Sequence, residues 1–272
     1  MLKLMYITND PTVAKIAENA GVDRIFVDME FVGKDLRQGG MNTVQSHHTV
    51  ADVARIRQAL TRAKLLVRVN PVYPGSEAEI NAVIAAGADL IMLPYFKTAT
   101  EVRQFLEYVG GRAKTVLLFE TPDSVSHIDE ILELPGIDEC FIGLNDLHLG
   151  YGRKFMFELL ADGTVEAICQ KFSAAKKSYG FGGIARVGSG TLPAERIIGE
   201  HVRLGSTAVI LSRSFCNTSQ ITKTDKIRSI FDAEVPKVRN AESDFAAAPE
   251  DVLFANHRAV QAAVGKIVEN IT

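Results

Sequence analysis

Short, wholly apolar runs alternate along the chain with longer stretches of helical period. The strand-like runs cover residues 2–8, 24–30, 64–70, 90–96, 114–120, 139–145, 181–186 and 208–214. Amphipathic stretches at 11–20, 49–60, 76–86, 98–109, 124–134, 165–178 and 193–204 separate them. Gly21, Gly87, Gly110, Gly180 and Gly205 follow several of these helices, as expected of left-handed helix stops. The strands are apolar at successive positions rather than alternate ones, the pattern of a parallel sheet buried on both faces. Eight strand–helix units predict a (β/α)8 TIM barrel over residues 1–232. A doubly wound sheet is the alternative. Its dinucleotide variant is set aside because the first strand leads into Thr8-Asn9-Asp10-Pro11 rather than a glycine-rich turn. After the barrel come a charged connector at 236–244 and an extra C-terminal helix at 249–270, within a tail of residues 233–272.

Composition narrows the class. The chain has 272 residues, 47% of them hydrophobic, enough for one large core. Its net charge is −3, from 30 basic and 33 acidic residues, with no basic block, which argues against nucleic acid and anionic membranes as partners. No apolar run approaches the ~20 residues of a membrane span. The first residues read as a strand rather than a secretory signal, and Cys140, Cys169 and Cys216 are isolated core residues rather than a disulfide framework or zinc site. These features point to the cytoplasm.

In such a barrel, chemistry is done at the carboxyl ends of the strands. Two consecutive strands end in acids there, Glu120 and Asp146, and strand axes lie about 5 Å apart. Together the two carboxylates suit a hard divalent cation, Mg²⁺, Mn²⁺ or Co²⁺; singly, each would serve as a turn or helix cap. Asn9, Asp28, Glu30, Arg68, Asn70, Lys97, Asn145, Arg186 and Arg213 share the same rim. Arg68 lies within an apolar strand, where a guanidinium needs an anion: either a structural carboxylate or a substrate oxyanion. Lys97 is a candidate Schiff-base lysine or an ordinary surface lysine. The glycine-rich stretch 180–190 either cradles an anion or serves close packing. His47 and His48, just before the second helix, are either solvated or proton-transfer groups.

These residues resemble the metal-dependent pyruvate aldolases of the HpcH/HpaI aldolase and citrate lyase family. The matching pieces, in family order, are 21–30 with Asp28-Met29-Glu30, Val67-Arg68-Val69, 87–94, Glu120-Thr121 and 136–147. The last contains Gly143-Leu144-Asn145-Asp146-Leu147, similar to the family's glycine–x–x–Asp–Leu signature. The resemblance implies a class II aldolase, a carbon–carbon lyase acting on a 4-hydroxy-2-oxo acid through a pyruvate enolate, with a 2-oxo acid and an aldehyde as its small-molecule partners. It implies Glu120 and Asp146 as metal ligands and Arg68 on the keto oxygen and enolate. Gly143, Leu144, Asn145 and Asp146 then form the substrate-binding turn, whose Asn145 and Asp146 N–H groups hold the carboxylate. It also implies a homo-oligomer, a trimer or hexamer, built through exchanged C-terminal helices.

The chain departs from that pattern at Phe31, where a histidine usually follows the acidic pair, and at Ala85, where an acid often supports it. A longer stretch, 31–48, carries His47 and His48, which with Glu30 become the candidate bases. Two rivals remain at this level: an acyl-CoA lyase of the citrate lyase type, and a catalytically silent barrel acting as a binding subunit.

Overall fold

The expected strands curl into a closed, all-parallel barrel whose strands pair in chain order, with the eighth returning to the first. The structure is a computed structural model and describes residues 1–32 and 48–271. The strands are β1 (Lys3–Ile7), β2 (Arg24–Asp28), β3 (Lys64–Arg68), β4 (Leu90–Leu93), β5 (Lys114–Phe119), β6 (Glu139–Ile142), β7 (Ser178–Ile184) and β8 (Ala208–Leu211). The helices between β1 and β5 are α1 (Pro11–Asn19), α2 (Val50–Ala59), α3 (Ser76–Ala85) and α4 (Ala99–Val109). After β5 come α5 (Pro122–Ser126) and α6 (Ile128–Leu132), and after β6 come α7 (Leu144–Gly150), α8 (Glu158–Ala161) and α9 (Thr164–Ala174). The chain closes with α10 (Ala194–Arg203), α11 (Thr224–Ala247) and α12 (Glu250–Glu269).

The two-residue period of each strand builds two cores at once. Met5, Phe26, Leu66, Met92, Val116, Leu118 and Phe141 fill the barrel, while Ile25, Val27, Leu65, Val67 and Leu117 face the helices. Both faces are therefore buried, which explains the continuous apolar runs. Side-chain caps start the helices: Asp10 accepts from the N–H groups of Thr12 and Val13, and Thr49 and Thr98 form capping boxes with Asp52 and Glu101. The amino-terminal end of the barrel is plugged by charge. Arg24 donates two 2.7 Å hydrogen bonds to Glu139, and Lys3 adds a third at 3.2 Å.

Glu18 at the end of α1 ties that helix to the start of β3. Its carboxylate accepts the N–H groups of Thr61, Arg62 and Ala63 at 2.8, 2.6 and 2.8 Å. Burial alone pushes this carboxyl up; Lys15 and the three N–H groups outweigh burial and bring it down to about 2. A depressed carboxylate contributes stability above its unfolded value and loses it as pH falls through the folded one. Glu18→Gln is therefore expected to cost about 2 kcal/mol near neutrality. The deficit should shrink between pH 4.5 and about 2, as urea titrations at several pH values will show.

Three elements differ from the sequence expectation. Strand β7 starts at Ser178 rather than 181 and contains a register shift between Gly180 and Gly183. Here the backbones crowd: a Cβ on Gly180 would lie 2.3 Å from the Ala208 carbonyl oxygen. The helix expected over 124–134 is two short helices that break at His127. The charged segment 236–244, expected as a connector, lies inside the 24-residue helix α11, with Pro236 in its interior. An interior proline costs ~3 kcal/mol. Ile227, Phe231, Val235 and Val238 of that helix are buried, at roughly 1.5–3 kcal/mol each, so packing wins.

The last helix, α12, folds back on its own barrel, against α10 and α8. Only Val260 and Val264 of its apolar stripe are fully buried, together with Asn256. The remaining contact is polar: Glu200, fully buried on α10, accepts from Arg203 and Asn256 and meets His257 Nδ1 at 2.9 Å. Among the described residues, no helix is long and apolar enough to cross a membrane.

Candidate active site

On three strands the inward column ends at the carboxyl rim in a charged residue. On β2 the column runs Arg24, Phe26, Asp28; on β3 it runs Lys64, Leu66, Arg68; on β5 it runs Val116, Leu118 and then Glu120. Asp28 and Arg68 are direct partners in the β2–β3 register. A cavity of about 620 Å³ opens above them. Asp28, His48, Arg68 and Glu120 line it, together with Gly143, Leu144, Asn145 and Asp146 of the turn after β6.

Arg68 is held by a planar fork. Its Nε and Nη2 donate to the two oxygens of Asp28 at 2.8 and 2.9 Å, and Nε lies 3.4 Å from Glu30. Burial works against this charge, but Asp28, then Glu30, more than compensate, and Glu120 adds to them. The guanidinium is held well above its ordinary range and stays protonated at every working pH. The structural and functional readings of Arg68 are thus compatible. Asp28 takes the inner edge of the fork, and among the described residues nothing takes the Nη1 hydrogen bonds.

Glu120 is buried just beyond β5 and its Oε1 accepts the Tyr95 N–H at 3.0 Å. Tyr95 adopts φ 49°, a left-handed conformation that is costly for a tyrosine and that lets the turn after β4 aim this N–H at the carboxylate. Gly143 leaves room for the same carboxylate. A Cβ there would sit 2.7 Å from both Cβ and Oε2 of Glu120. Gly143→Ala is therefore expected to fold, displace Glu120 and lower both turnover and divalent-cation affinity by at least ~10-fold. Calorimetric cation titration beside the kinetic assay checks this.

Asp146 lies in the first turn of α7 and is half-buried. Leu147 is the first residue of that helix to close a backbone turn, onto the Gly143 carbonyl at 3.1 Å, so the N–H groups before it precede the ladder. Among the described residues no three His, Cys, Asp or Glu side chains converge as a metal cluster. The donor set at this cavity is two carboxylates. That fits a hard, oxygen-preferring ion that takes its remaining ligands from water and substrate, and does not suit zinc.

Other rim residues sort differently. Asn9 and Arg213 also line the cavity, whereas Glu30, Asn70, Lys97 and Arg186 do not. Lys97 is exposed, its ammonium 5.9 Å from the Tyr95 ring centre, which removes the observation behind a Schiff-base role. Asn70 accepts the Phe31 and Val32 N–H groups at 2.9 Å each and donates to Glu79 at 2.8 Å, anchoring the segment that follows β2. Burial raises the Glu79 carboxyl. Arg186 donates through Nε to the Phe215 carbonyl. Of the glycine-rich stretch, Gly182, Gly183 and Gly190 line the cavity, and Gly182 makes room for Leu144. His47 lies outside the described residues. All three cysteines are buried thiols, and burial pushes Cys169 up to about 12.

Residues 3–201 match the family model described as HpcH/HpaI aldolase/citrate lyase. The chain belongs to that family. It is thereby one of a group of lyase and aldolase enzymes acting on carbon–carbon bonds. Solved structures with the same fold include an HpcH/HpaI aldolase from Desulfitobacterium hafniense DCB-2. It is 16% identical with a TM-score of 0.62, the match covering 84% of this chain and 93% of that one. An HpcH/HpaI aldolase/citrate lyase family protein from Burkholderia cenocepacia J2315 is 15% identical with a TM-score of 0.61, over 84% and 94%. The citrate synthase SbnG is 18% identical with a TM-score of 0.61, over 83% and 93%. At such identities these likenesses carry the fold alone. No curated protein sequence matches the chain.

Proposed function

We propose that this HpcH/HpaI family member is a divalent-metal-dependent aldolase that makes or breaks the bond between a pyruvate enolate and an aldehyde. The observation that carries the reading is the convergence of Glu120, Asp146 and Arg68 on one cavity at the carboxyl rim of a family barrel. A divalent cation, Mg²⁺, Mn²⁺ or Co²⁺, held by Glu120 and Asp146, would supply Lewis-acid polarisation of the bound 2-oxo acid. The protein's own groups do the rest. The N–H groups at the start of α7, around Asn145 and Asp146, orient the substrate carboxylate. The outer edge of the Arg68 fork meets the keto oxygen, where negative charge grows as the C3–C4 bond breaks. Asp28 fixes the plane of that fork, so little reorganisation accompanies the reaction. Glu30 is buried beside the same guanidinium, which suits a supporting acid better than a proton carrier.

A screen of 4-hydroxy-2-oxo acids for pyruvate release, with and without chelator, tests the reading. Metal-dependent release from at least one substrate is the expected result; no release, and no pyruvate C3 proton exchange, would overturn it. The second reading is an acyl-CoA lyase of the citrate lyase type, which the family description also covers, and the same screen with a coenzyme A thioester separates the two.

Assembly into a trimer or hexamer forms part of the proposal. Val252 and Phe254 stay exposed at the start of α12, a pair of apolar side chains suited to a subunit contact. Light scattering at micromolar concentration is expected to return an oligomer, and a monomer would refute it.

A further inference from the structure

The cavity at the carboxyl rim does not stay inside the barrel. Strand parity sorts side chains into an inner core and an outer one beneath the helices. Phe26, Met92, Leu118 and Phe141, which line the cavity, belong to the inner core. Leu144, Phe157, Leu192, Ile197 and Leu211 line the same cavity and belong to the outer one. Ile197 sits on α10, a helix that packs against β7 from outside the barrel. The cavity therefore passes from the barrel mouth through the wall and ends in a lobe within the helical layer.

The glycine-rich end of β7 makes that passage. Strand β6 ends at Ile142, paired with Phe181, so β7 runs on to Ile184 without β6 beside it. On its other edge β7 advances from Gly180 to Gly183 while β8 advances only from Ala208 to Ile210. The extra residue is a bulge, which bends a strand and re-aims its side chains. Gly182 takes φ 54° there, and a Cβ on it would lie 2.7 Å from Leu144 Cδ1. Leu144, in the turn after β6, thus occupies the space of the missing side chain, at the border between mouth and lobe.

The chemistry of the lobe is apolar. Among the described residues that line the cavity between 155 and 197, none is charged, and Thr191 alone has a polar side chain. Met156 is half-buried and unbranched, a side chain that adapts to an apolar guest. The nearby glycine-rich turn is no anion cradle. Its Gly188 N–H donates to the Glu195 carboxylate at 3.0 Å and its Ser189 N–H to the Arg186 carbonyl at 2.9 Å. A carboxylate or phosphate placed in the lobe would lose its water without gaining a partner, whereas an alkyl chain leaves water favourably. We propose that the lobe receives the apolar chain of the acceptor, so that the aldehyde joined to the enolate is aliphatic and does not end in a second acid or a phosphate. This specificity rests on the aldolase reading above. The lobe opens beside the Gly143–Asp146 turn, where that reading puts the 2-oxo acid, so a chain lying in it keeps the aldehyde carbon at the mouth.

Two measurements test the assignment. The first needs no catalysis. In the full chain with ¹³C-labelled Met and Ile methyl groups, 1-hexanol is expected to shift the Met156 and Ile197 signals saturably, with Met156→Leu and Ile197→Val supplying the assignments. Signals that stay in place would overturn the proposal. The second compares kcat/KM for acetaldehyde, hexanal and 6-oxohexanoate as partners of pyruvate. Each buried methylene is worth about fourfold, so seating even two of those that hexanal adds should favour it over acetaldehyde by at least ~10-fold. The terminal carboxylate of 6-oxohexanoate should cancel that gain. Ala185→Leu adds carbons at a buried, cavity-lining position just beyond β7 and should cut the hexanal-to-acetaldehyde ratio at least ~5-fold. A preference for the acid-ended aldehyde, or an unchanged ratio in folded Ala185→Leu, would overturn the proposal. Wild-type protein without pyruvate C3 exchange would sink the aldolase reading instead, and the methyl titration alone would still decide whether the lobe takes an alkyl chain.

Discussion

Arg68→Ala is expected to slow pyruvate C3 proton exchange by about 10² or more, close to 3 kcal/mol of transition-state stabilisation. Exchange is the right readout because it requires the enolate and no aldehyde. The effect should fall on turnover more than on apparent pyruvate affinity, since the charge that Arg68 meets is larger in the enolate than in the keto acid. The substitution also leaves Asp28 and Glu30 buried close together without their shared cation. Arg68→Lys is therefore the companion variant. It keeps the charge but cannot reproduce two parallel hydrogen bonds to Asp28, and it should recover folding while remaining at least tenfold slow. Unchanged exchange in either folded variant would remove Arg68 from the chemistry.

Loss of either acid of the metal pair is expected to have the larger effect. With Asp28 engaged by Arg68 and no group of three such side chains fit to hold a metal among the described residues, each charge of the pair carries a large share of cation affinity. Excess chelator should abolish exchange and pyruvate release, and Mg²⁺, Mn²⁺ or Co²⁺ should restore both. Glu120→Ala should behave like the chelated protein even at high cation concentration, because Glu120 is buried and the nearby Asp28 is already committed to Arg68. Asp146→Ala should need much more cation but respond to it, since this half-buried group leaves water a route to the ion. Calorimetric titration of Mn²⁺ checks affinity apart from turnover. Full activity of Glu120→Ala in excess chelator would dismiss the metal assignment.

Periodicity was sufficient for the architecture. Eight apolar runs separated by helical stretches admit few arrangements, and right-handed parallel crossovers close them into a barrel. The rim position of Glu120, Asp146 and Arg68 followed from that, because a barrel's chemistry sits where its strands end. Element ends were less legible. Strand β7 was misplaced by three residues at its start because Gly180 reads as a helix stop. It is instead a strand residue pressed against the Ala208 carbonyl. The charged run in α11 reads as a connector for a similar reason. Local polarity and Pro236 speak against a helix, while the opposing apolar stripe is satisfied only once α1 and α10 lie beneath it.

What the sequence determined by itself was the set of strand-end groups, since strand parity assigns each residue to the barrel interior or to the helices before any contact is known. Tertiary structure alone decided how those groups engage one another. Asp28 grips Arg68 because β2 and β3 pair in register. Tyr95 turns its N–H to Glu120 because the turn after β4 adopts a left-handed conformation no composition signals. Gly143 is glycine because a carboxylate from the neighbouring strand occupies the space of its side chain. His48 accepts from Asp28 because β1 ends too early to pair with that N–H. Each is a contact between residues distant in the chain, fixed by strand register and steric exclusion, and neither of those is written in the local pattern from which a sequence is read.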